Sequence, residues 1–310
     1  MPTNFLSPEQ ISRYARFNTD PSPEDLAEFF HLKDTDQPLL ETCRLNHTKL
    51  GMAVQICTLR YLNAFLTDPT DVPVIVSKTL ADQLGINDPS VLKKYLERRT
   101  TKFEHAELIR KHLGFKTFNG WEIIHLMRFL YSKMLVTDER PTVLFDQATR
   151  RLTERYVILP GARVLERLVV RVRDHVTKRL YRALSKRLNG KQSARLDDLL
   201  VVPDGERRTA LERLRTPPTR TSSPALVAAL ERIESIRELG VTSVDLSDLP
   251  QSRLLALSQY AMVAWAQHLA KLNVVQRTQC VTNVVVPRCW LSVSTSSAVP
   301  QMMPWMCSMR

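Results

Sequence analysis

A chain of 310 residues with 44% hydrophobic and 25% charged residues has the composition of a soluble globular protein and room for about two or three domains. Eight glycines are too few for a barrel, a sandwich or a Gly-rich nucleotide fold, no apolar run approaches the roughly 18 residues of a membrane span, and MPTNFLSPEQ lacks the basic and apolar regions of a signal peptide. The net charge of +12 is concentrated, with 13 basic against 5 acidic residues over 151–200, which suggests a polyanionic partner, nucleic acid before an anionic membrane.

Helix starts follow one another along the chain. Ser7-Pro8-Glu9-Gln10 and Ser22-Pro23-Glu24-Asp25 each place Ser at the cap, Pro at the first helical position and an acceptor side chain at the third. Asp36 is positioned to cap a short helix. Residues 48–66 carry the strongest early pattern, an apolar stripe of Leu50, Ala53, Val54, Cys57, Tyr61 and Phe65, with Gly51 expected at a close helix–helix contact. Asp68-Pro69-Thr70-Asp71-Val72-Pro73 breaks the chain. Helices are then expected near 75–84, 89–99, 102–113, 120–135 and 140–155, with Gly85, Gly114 and Gly161 at their exits. A long amphipathic helix over 162–188 follows. Leu165, Leu168, Val169, Val172, Val176, Leu180 and Leu184 form its apolar stripe, and Arg163, Arg167, Arg171, Lys178, Arg182 and Lys186 crowd the other side. Residues 191–222 read as short helices and a linker, and helices resume near 223–239 and 250–271. Strand alternation is nearly absent, so the expected fold is all-α.

Five cysteines without a CxxC pair, and no His pair at ligand spacing, argue against a disulfide framework or a zinc site and make a reducing cytoplasm the default compartment. No catalytic constellation stands out: GxSxG, HExxH and the P-loop are all missing, the seven histidines are scattered, and Glu166 reads as an i,i+4 partner of the following arginines. No cofactor is expected.

The segment Leu80–Leu96, LADQLGINDPSVLKKYL, has the spacing of a helix-turn-helix. Ala81 permits a close crossing, Gly85 can turn at positive φ, Ile86 plugs the corner, and a second helix from Pro89 buries Val91 and Tyr95. That helix would offer Ser90, Lys93, Lys94, Glu97, Arg98 and Arg99 to solvent, short polar groups suited to a major groove and cations suited to phosphates. A plain helical bundle can contain the same corner. A second cluster, Arg44, Asn46, His47 and Lys49, sits at the mouth of the strongest early helix, where free amides can seat a phosphate; otherwise Asn46 or Thr48 simply caps that helix. The basic face over 162–188 could follow a DNA backbone, and a solvated, salt-bridged face is the competing reading.

The stretches LSPEQISRYARFNTDPSPEDLAEFFHLKDTD, LNHTKLGMAVQICTLRYLNAFLTDPTDVP and LADQLGINDPSVLKKYLERRTTKFEHAELIRKHLGF, then SARLDDLLVVPDGERRTALERLRTPPTR and SPALVAALERIESIREL, together resemble the N-terminal region of the large transposases of replicative class II transposons, the Tn-three family. The resemblance covers about residues 5–271. It implies tandem helical, helix-turn-helix-like DNA-binding domains that grip terminal inverted repeats, followed by a long-helix bundle region. It places strand-transfer chemistry in a ribonuclease-H-like domain much later in a longer chain, so no catalytic or metal-binding residue is carried over and this chain is not expected to be an enzyme. DNA contact is implied for the segments around Arg44–Lys49 and Lys93–Arg99. The choice of Arg44, Asn46, Lys49, Ser90, Lys93, Lys94, Arg98, Arg99, Arg163, Arg167, Arg171, Lys178 and Arg182 as contacts rests on position along each helix. The partner is double-stranded DNA, with a homo-oligomer left open and no membrane. The location implied is a bacterial cytoplasm, at the nucleoid when bound. The competing function is a helical scaffold or protein-interaction module with an incidental basic face.

The expected organisation is an N-terminal helical domain over 1–70, a second helical domain with the helix-turn-helix over 71–160, and a linker and bundle region over 161–271. Residues 272–310 hold no Asp or Glu, although 1–271 hold all 32. Met and Trp have single codons, and a two-base shift of MMPWMCSMR forces Asp-Ala and Asp-Val and permits the acidic reading DALDVFDA. A frameshift just after Lys271 or Leu272 is therefore expected, giving a truncated chain with a tail never selected to pack.

Overall fold

The computed structural model describes residues 4–98, 100–215, 222–241, 244 and 249–272. Arg99, Thr216-Pro217-Pro218-Thr219 and the expected out-of-frame tail beyond Leu272 lie outside the described residues. Among the described residues the fold is all-α, with one isolated bridge between Lys116 and Val157 and no strand.

Two compact units form. The first takes residues up to 131 together with 139–172, and the second takes 132–138 and the described residues from 173 onward. The first unit contains α1 (Pro8–Arg13), α2 (Pro23–Phe29), α3 (Gln37–Glu41), α4 (Asn46–Leu62), α5 (Val74–Leu84), a 3-10 helix (Pro89–Leu96), α6 (Thr101–His112) and α8 (Pro141–Glu154). Two helices, α7 (Gly120–Val136) and α9 (Ala162–Ser185), supply residues to both units. The second unit adds α10 (Gly190–Asp198), α11 (Ala210–Arg215), α12 (Ser223–Glu238), α13 (Gln251–Val263) and α14 (Ala266–Ala270).

Local chemistry sets the helix starts. Ser7 and Ser22 accept the amide protons of Gln10 and Asp25, whose side chains accept the serine amides in return, so both capping boxes are closed. Asp36 departs from its expected role. It makes no cap bond to α3; it is buried, accepts the Lys33 amide at 2.9 Å and pairs with Arg60 at 2.6 Å. A carboxylate moved out of water needs such partners, and Arg60 on α4 supplies the charged one.

The core of the first unit is built around α4. Leu50 through Leu59 are ten consecutive buried residues, so α4 is covered on all sides, a wider burial than the single stripe read from its sequence. Its neighbours are α2, α3, α5, α6 and the 3-10 helix. The same core runs from Phe30 to Phe115 and so draws on both sides of residue 70, where the sequence suggests a boundary. Asn63 ends α4 in the left-handed region at φ 55°, and its side-chain amide donates to Val157 O at 2.6 Å, which ties the helix exit to the segment after α8.

The helix-turn corner forms as the spacing predicts up to its second arm. Ala81 is fully buried, Gly85 turns at φ 68°, and Ile86 is buried while its amide donates to Ala81 O at 2.9 Å, closing a Schellman turn. The second arm is a 3-10 helix over Pro89–Leu96, where an α-helix over 89–99 is expected. Leu92 and Tyr95, both buried, lie three residues apart, the repeat at which 3-10 side chains eclipse. Tyr95 fills the space above Gly51: a Cβ there would lie 2.2–2.4 Å from three atoms of the Tyr95 ring. Gly51 is thus the close contact its sequence position suggests.

Glu166 also differs from its reading as an i,i+4 partner of the following arginines. It is fully buried on α9, accepts the amides of Phe5 at 2.7 Å and Leu6 at 2.9 Å, and pairs with Arg163 one turn back at 2.8 Å. Burial alone would raise its pKa, but the hydrogen bonds from Leu6, Arg163 and Phe5 outweigh it and hold the carboxyl below its ordinary value of 4.5. The second unit packs around Leu196, Leu211, Ile236, Ala261 and Leu269. Expected helix 250–271 is broken at Ala264 and Trp265, both extended, where Arg215 donates to the Ala264 carbonyl at 2.6 Å.

Gly51→Ala is expected to destabilise the protein by about 1–3 kcal/mol through overpacking against Tyr95, read from urea unfolding. Glu166 has a lowered folded pKa, so its contribution to stability is complete above 4.5 and is lost as pH falls through the lower folded value. Unfolding midpoints taken across that window should fall more steeply for the natural chain than for Glu166→Gln. Parallel curves would remove Glu166 as the source of acid sensitivity.

Candidate nucleic-acid interface

Arg44 and Asn46 are exposed, and Lys49 is half-buried on the first turn of α4. The expectation that Asn46 or Thr48 caps this helix is not met. Leu45 occupies the cap position, no side chain caps the helix, and Thr48 donates its hydroxyl proton to Leu45 O at 2.7 Å. The N-terminal end of α4 therefore keeps its partial positive charge without a protein side chain to neutralise it.

Ser90, Lys93, Lys94 and Arg98 are all exposed, as the corner geometry predicts. Ser90 is already engaged: its amide and hydroxyl both donate to Asp88, at 2.9 and 2.7 Å, and these two bonds from Ser90 lower the Asp88 pKa. Arg98 approaches Glu104 at 3.5 Å, a loose pair between exposed groups. Because the arm is 3-10, Lys93 stands over Ser90 and Lys94 falls on the next row, so the cations are fanned more widely than an α-helix would set them.

The two segments meet below the surface. Cys43, next to Arg44, places Sγ 3.9 Å from Nε2 of His105, and Tyr95, next to Lys94, places its hydroxyl 2.8 Å from Nδ1 of the same ring. Gln55 on α4 donates to the Tyr95 hydroxyl from the other side. Burial raises the pKa of Tyr95 and lowers that of His105, the latter against the opposing charge of Glu104. Burial likewise raises Cys43, opposed by hydrogen bonds from Thr42 and Thr48 and by the charge of Lys49. His105, Gln55 and Cys43 carry no signal in a linear reading, because the contacts join residues 10, 40 and 62 positions apart.

Along α9 and the turn after it the apolar stripe and the basic face separate: Leu165, Val169, Val172, Val176, Leu180 and Leu184 are buried and Leu168 is half-buried, while Arg163, Arg167, Arg171, Lys178, Arg182 and, just past the helix end, Lys186 are exposed. Two of these cations have internal work. Arg163 pairs with Glu166, and Arg167 donates Nε to Arg163 O at 3.2 Å. In the second unit Lys178, Arg182 and Lys186 line an open groove together with His175 and Arg179. The last two were missed from sequence, although steps of four from Arg171 reach both of them.

Among the described residues no three His, Cys, Asp or Glu side chains are grouped so as to hold a metal ion, and no helix is long and apolar enough to cross a membrane. Among the described residues the geometry defines an all-α chain that buries two of its acids, Asp36 and Glu166, and places cations on the surface at a helix corner, a helix mouth and one long helix face. Residues 5–172 match a protein family described as a domain of unknown function, DUF4158, and the chain belongs to that family.

Relatives with known roles extend the comparison. The chain is 38% identical over 274 residues to the transposase for transposon gamma-delta of Escherichia coli strain K12, which is 88% of this chain and 27% of that protein. It is 30% identical over 261 residues to the transposase for transposon Tn1546 of Enterococcus faecium, 82% of this chain and 26% of that one. It is 30% identical over 265 residues to the transposase for transposon Tn501 of Pseudomonas aeruginosa, 86% and 27% respectively. The chain thus spans about a quarter of the length of the relatives it matches.

Proposed function

We propose that this chain is the DNA-end-binding part of a Tn-three-type transposase, holding transposon terminal inverted repeats without strand-transfer chemistry of its own. The observation that carries the reading is the convergence on His105 of the two segments that most resemble the family's DNA-binding region, each with exposed cations beside the contact. Arg44, Asn46 and the open end of α4 would seat phosphates. Lys93, Lys94 and Arg98, with Arg99 next in sequence, would grip the flanking backbone, and Ser90 retains only acceptor capacity toward a base edge. Arg171, Lys178 and Arg182 on α9 would follow the backbone by charge alone, and Arg163 and Arg167 would contribute less because they are engaged within α9.

The domain division proposed from function follows the same pieces: a helical DNA-binding region in which residues 1–70 and 71–160 share one core, then a linker and bundle region over 161–271. Cutting and joining would belong to the acidic metal ligands of a ribonuclease-H-like domain in the longer relatives. Pairing of two transposon ends would call for a homo-oligomer, and bound chain would reside at the nucleoid of a bacterial cytoplasm.

Selection from a random duplex pool by the purified chain should enrich a defined sequence, and binding to it should be strongly salt-dependent. Replacing Lys93, Lys94 and Arg98 together with Ala should weaken binding and flatten the log–log salt slope by about 0.9 for each phosphate that is no longer neutralised. An enriched duplex bound equally well by the triple variant would reject the 3-10 arm as a contact, and a pool that enriches nothing would favour the scaffold reading.

A further inference from the structure

The bonds around His105 run in one direction. Gln55 Nε2 donates to the Tyr95 hydroxyl oxygen, so the single Tyr95 proton is free to point at His105 Nδ1, 2.8 Å away. Nδ1 must then carry a lone pair. The ring proton sits on Nε2 and faces the sulfur of Cys43 at 3.9 Å. All three links are satisfied together by the neutral imidazole in this tautomer. A second proton on the ring would set an N–H against the Tyr95 O–H and break the chain where it joins α6 to the 3-10 arm.

The surroundings contain few charges that reach the ring. On α6, Glu104 favours the charged form, while Lys102 turns to Thr67 O, to which it donates at 2.9 Å. The α4 side presents Cys43, with Lys49 beside it. The 3-10 arm presents Tyr95, and Arg98 beyond it is drawn to Glu104 at 3.5 Å. Burial is the largest influence on the ring and opposes its protonation.

We propose that His105 is a positioning residue, a neutral-imidazole latch that fixes the spacing between the Arg44–Lys49 and Ser90–Arg98 segments, and that its protonation loosens the grip on DNA. The link to DNA rests on the function proposed above, whereas the latch itself does not. The expected sign is opposite to that of simple electrostatics, in which an added positive charge near a polyanion strengthens binding.

Two measurements on the full chain separate the latch from its consequence. The first is amide hydrogen exchange without DNA at about pH 7.5 and about pH 5, the lower value set well beneath the usual histidine range because burial lowers the His105 pKa, corrected for intrinsic rates. Protection over residues 43–49 and 90–98 should fall together in the natural chain. It should not fall in His105→Asn, whose Oδ1 can still accept from Tyr95 but cannot titrate. Unchanged protection in the natural chain, or the same fall in His105→Asn, overturns the latch whether or not DNA is bound. Should that variant fail to fold, Tyr95→Phe, which removes the donor to Nδ1, is expected to show low protection at both pH values, and a retained pH response would again overturn the latch.

The second measurement is fluorescence anisotropy on the selected duplex at the same two pH values. The natural chain should lose roughly tenfold in affinity at the lower pH, the effect of one pKa unit of coupling, while His105→Asn stays level. Binding that tightens at low pH in the natural chain breaks the link between latch and grip. A latch seen by exchange in a chain that binds no duplex would sink the DNA reading and leave the latch standing.

Discussion

The absent side chain of Gly51 is the feature on which the first unit depends. It lets the Tyr95 ring lie directly on the α4 backbone, at a distance where any Cβ would collide. That approach brings the 3-10 arm close enough for the Tyr95 hydroxyl to reach both Gln55 and His105. It also completes the cover around α4, whose ten consecutive buried residues could not be satisfied by a single facing helix. A large aromatic seated on bare backbone gains dispersion over its whole face, and its polar end is used rather than stranded.

Around this core the charges are sorted by burial. Asp36 and Glu166, both fully buried, each combine a guanidinium with backbone amide donors, Lys33 in one case and Phe5 and Leu6 in the other. Both therefore join distant segments and do not decorate helix ends. Arginine suits this role because it can hold a carboxylate while its stem lies along apolar surface. Most of the basic groups singled out from sequence remain outside, on elements held rigid from within. A surface built this way presents its cations to solvent without the cost of desolvating them.

Helix identity was largely legible in the sequence because it is set by near neighbours. Ser-Pro starts, glycine exits and three- and four-residue apolar steps act within one or two turns, and the capping boxes at Ser7 and Ser22, the turn at Gly85 and the two faces of α9 all formed as their spacing demands. Where local pattern and tertiary packing competed, packing won. The stretch after Pro89 scans as an α-helix, yet burial of Leu92 and Tyr95 on one side draws it into a 3-10 spiral. Glu166 scans as an i,i+4 partner of the arginines that follow it, yet the chain near Phe5 returns to it from 161 residues away.

By itself, then, the sequence determined the all-α character, the position of nearly every helix, the side of α9 that carries its cations, and the close approach at Gly51. It could not determine that residues on either side of Pro69 share one core, that Asp36 serves Arg60 and not a helix end, or that Cys43, Gln55, Tyr95 and His105 come together. Those outcomes depend on which apolar faces meet. Each side chain contributes only whether it can be buried, and the choice among partners is made by shape and by the need to pair every polar group that burial encloses.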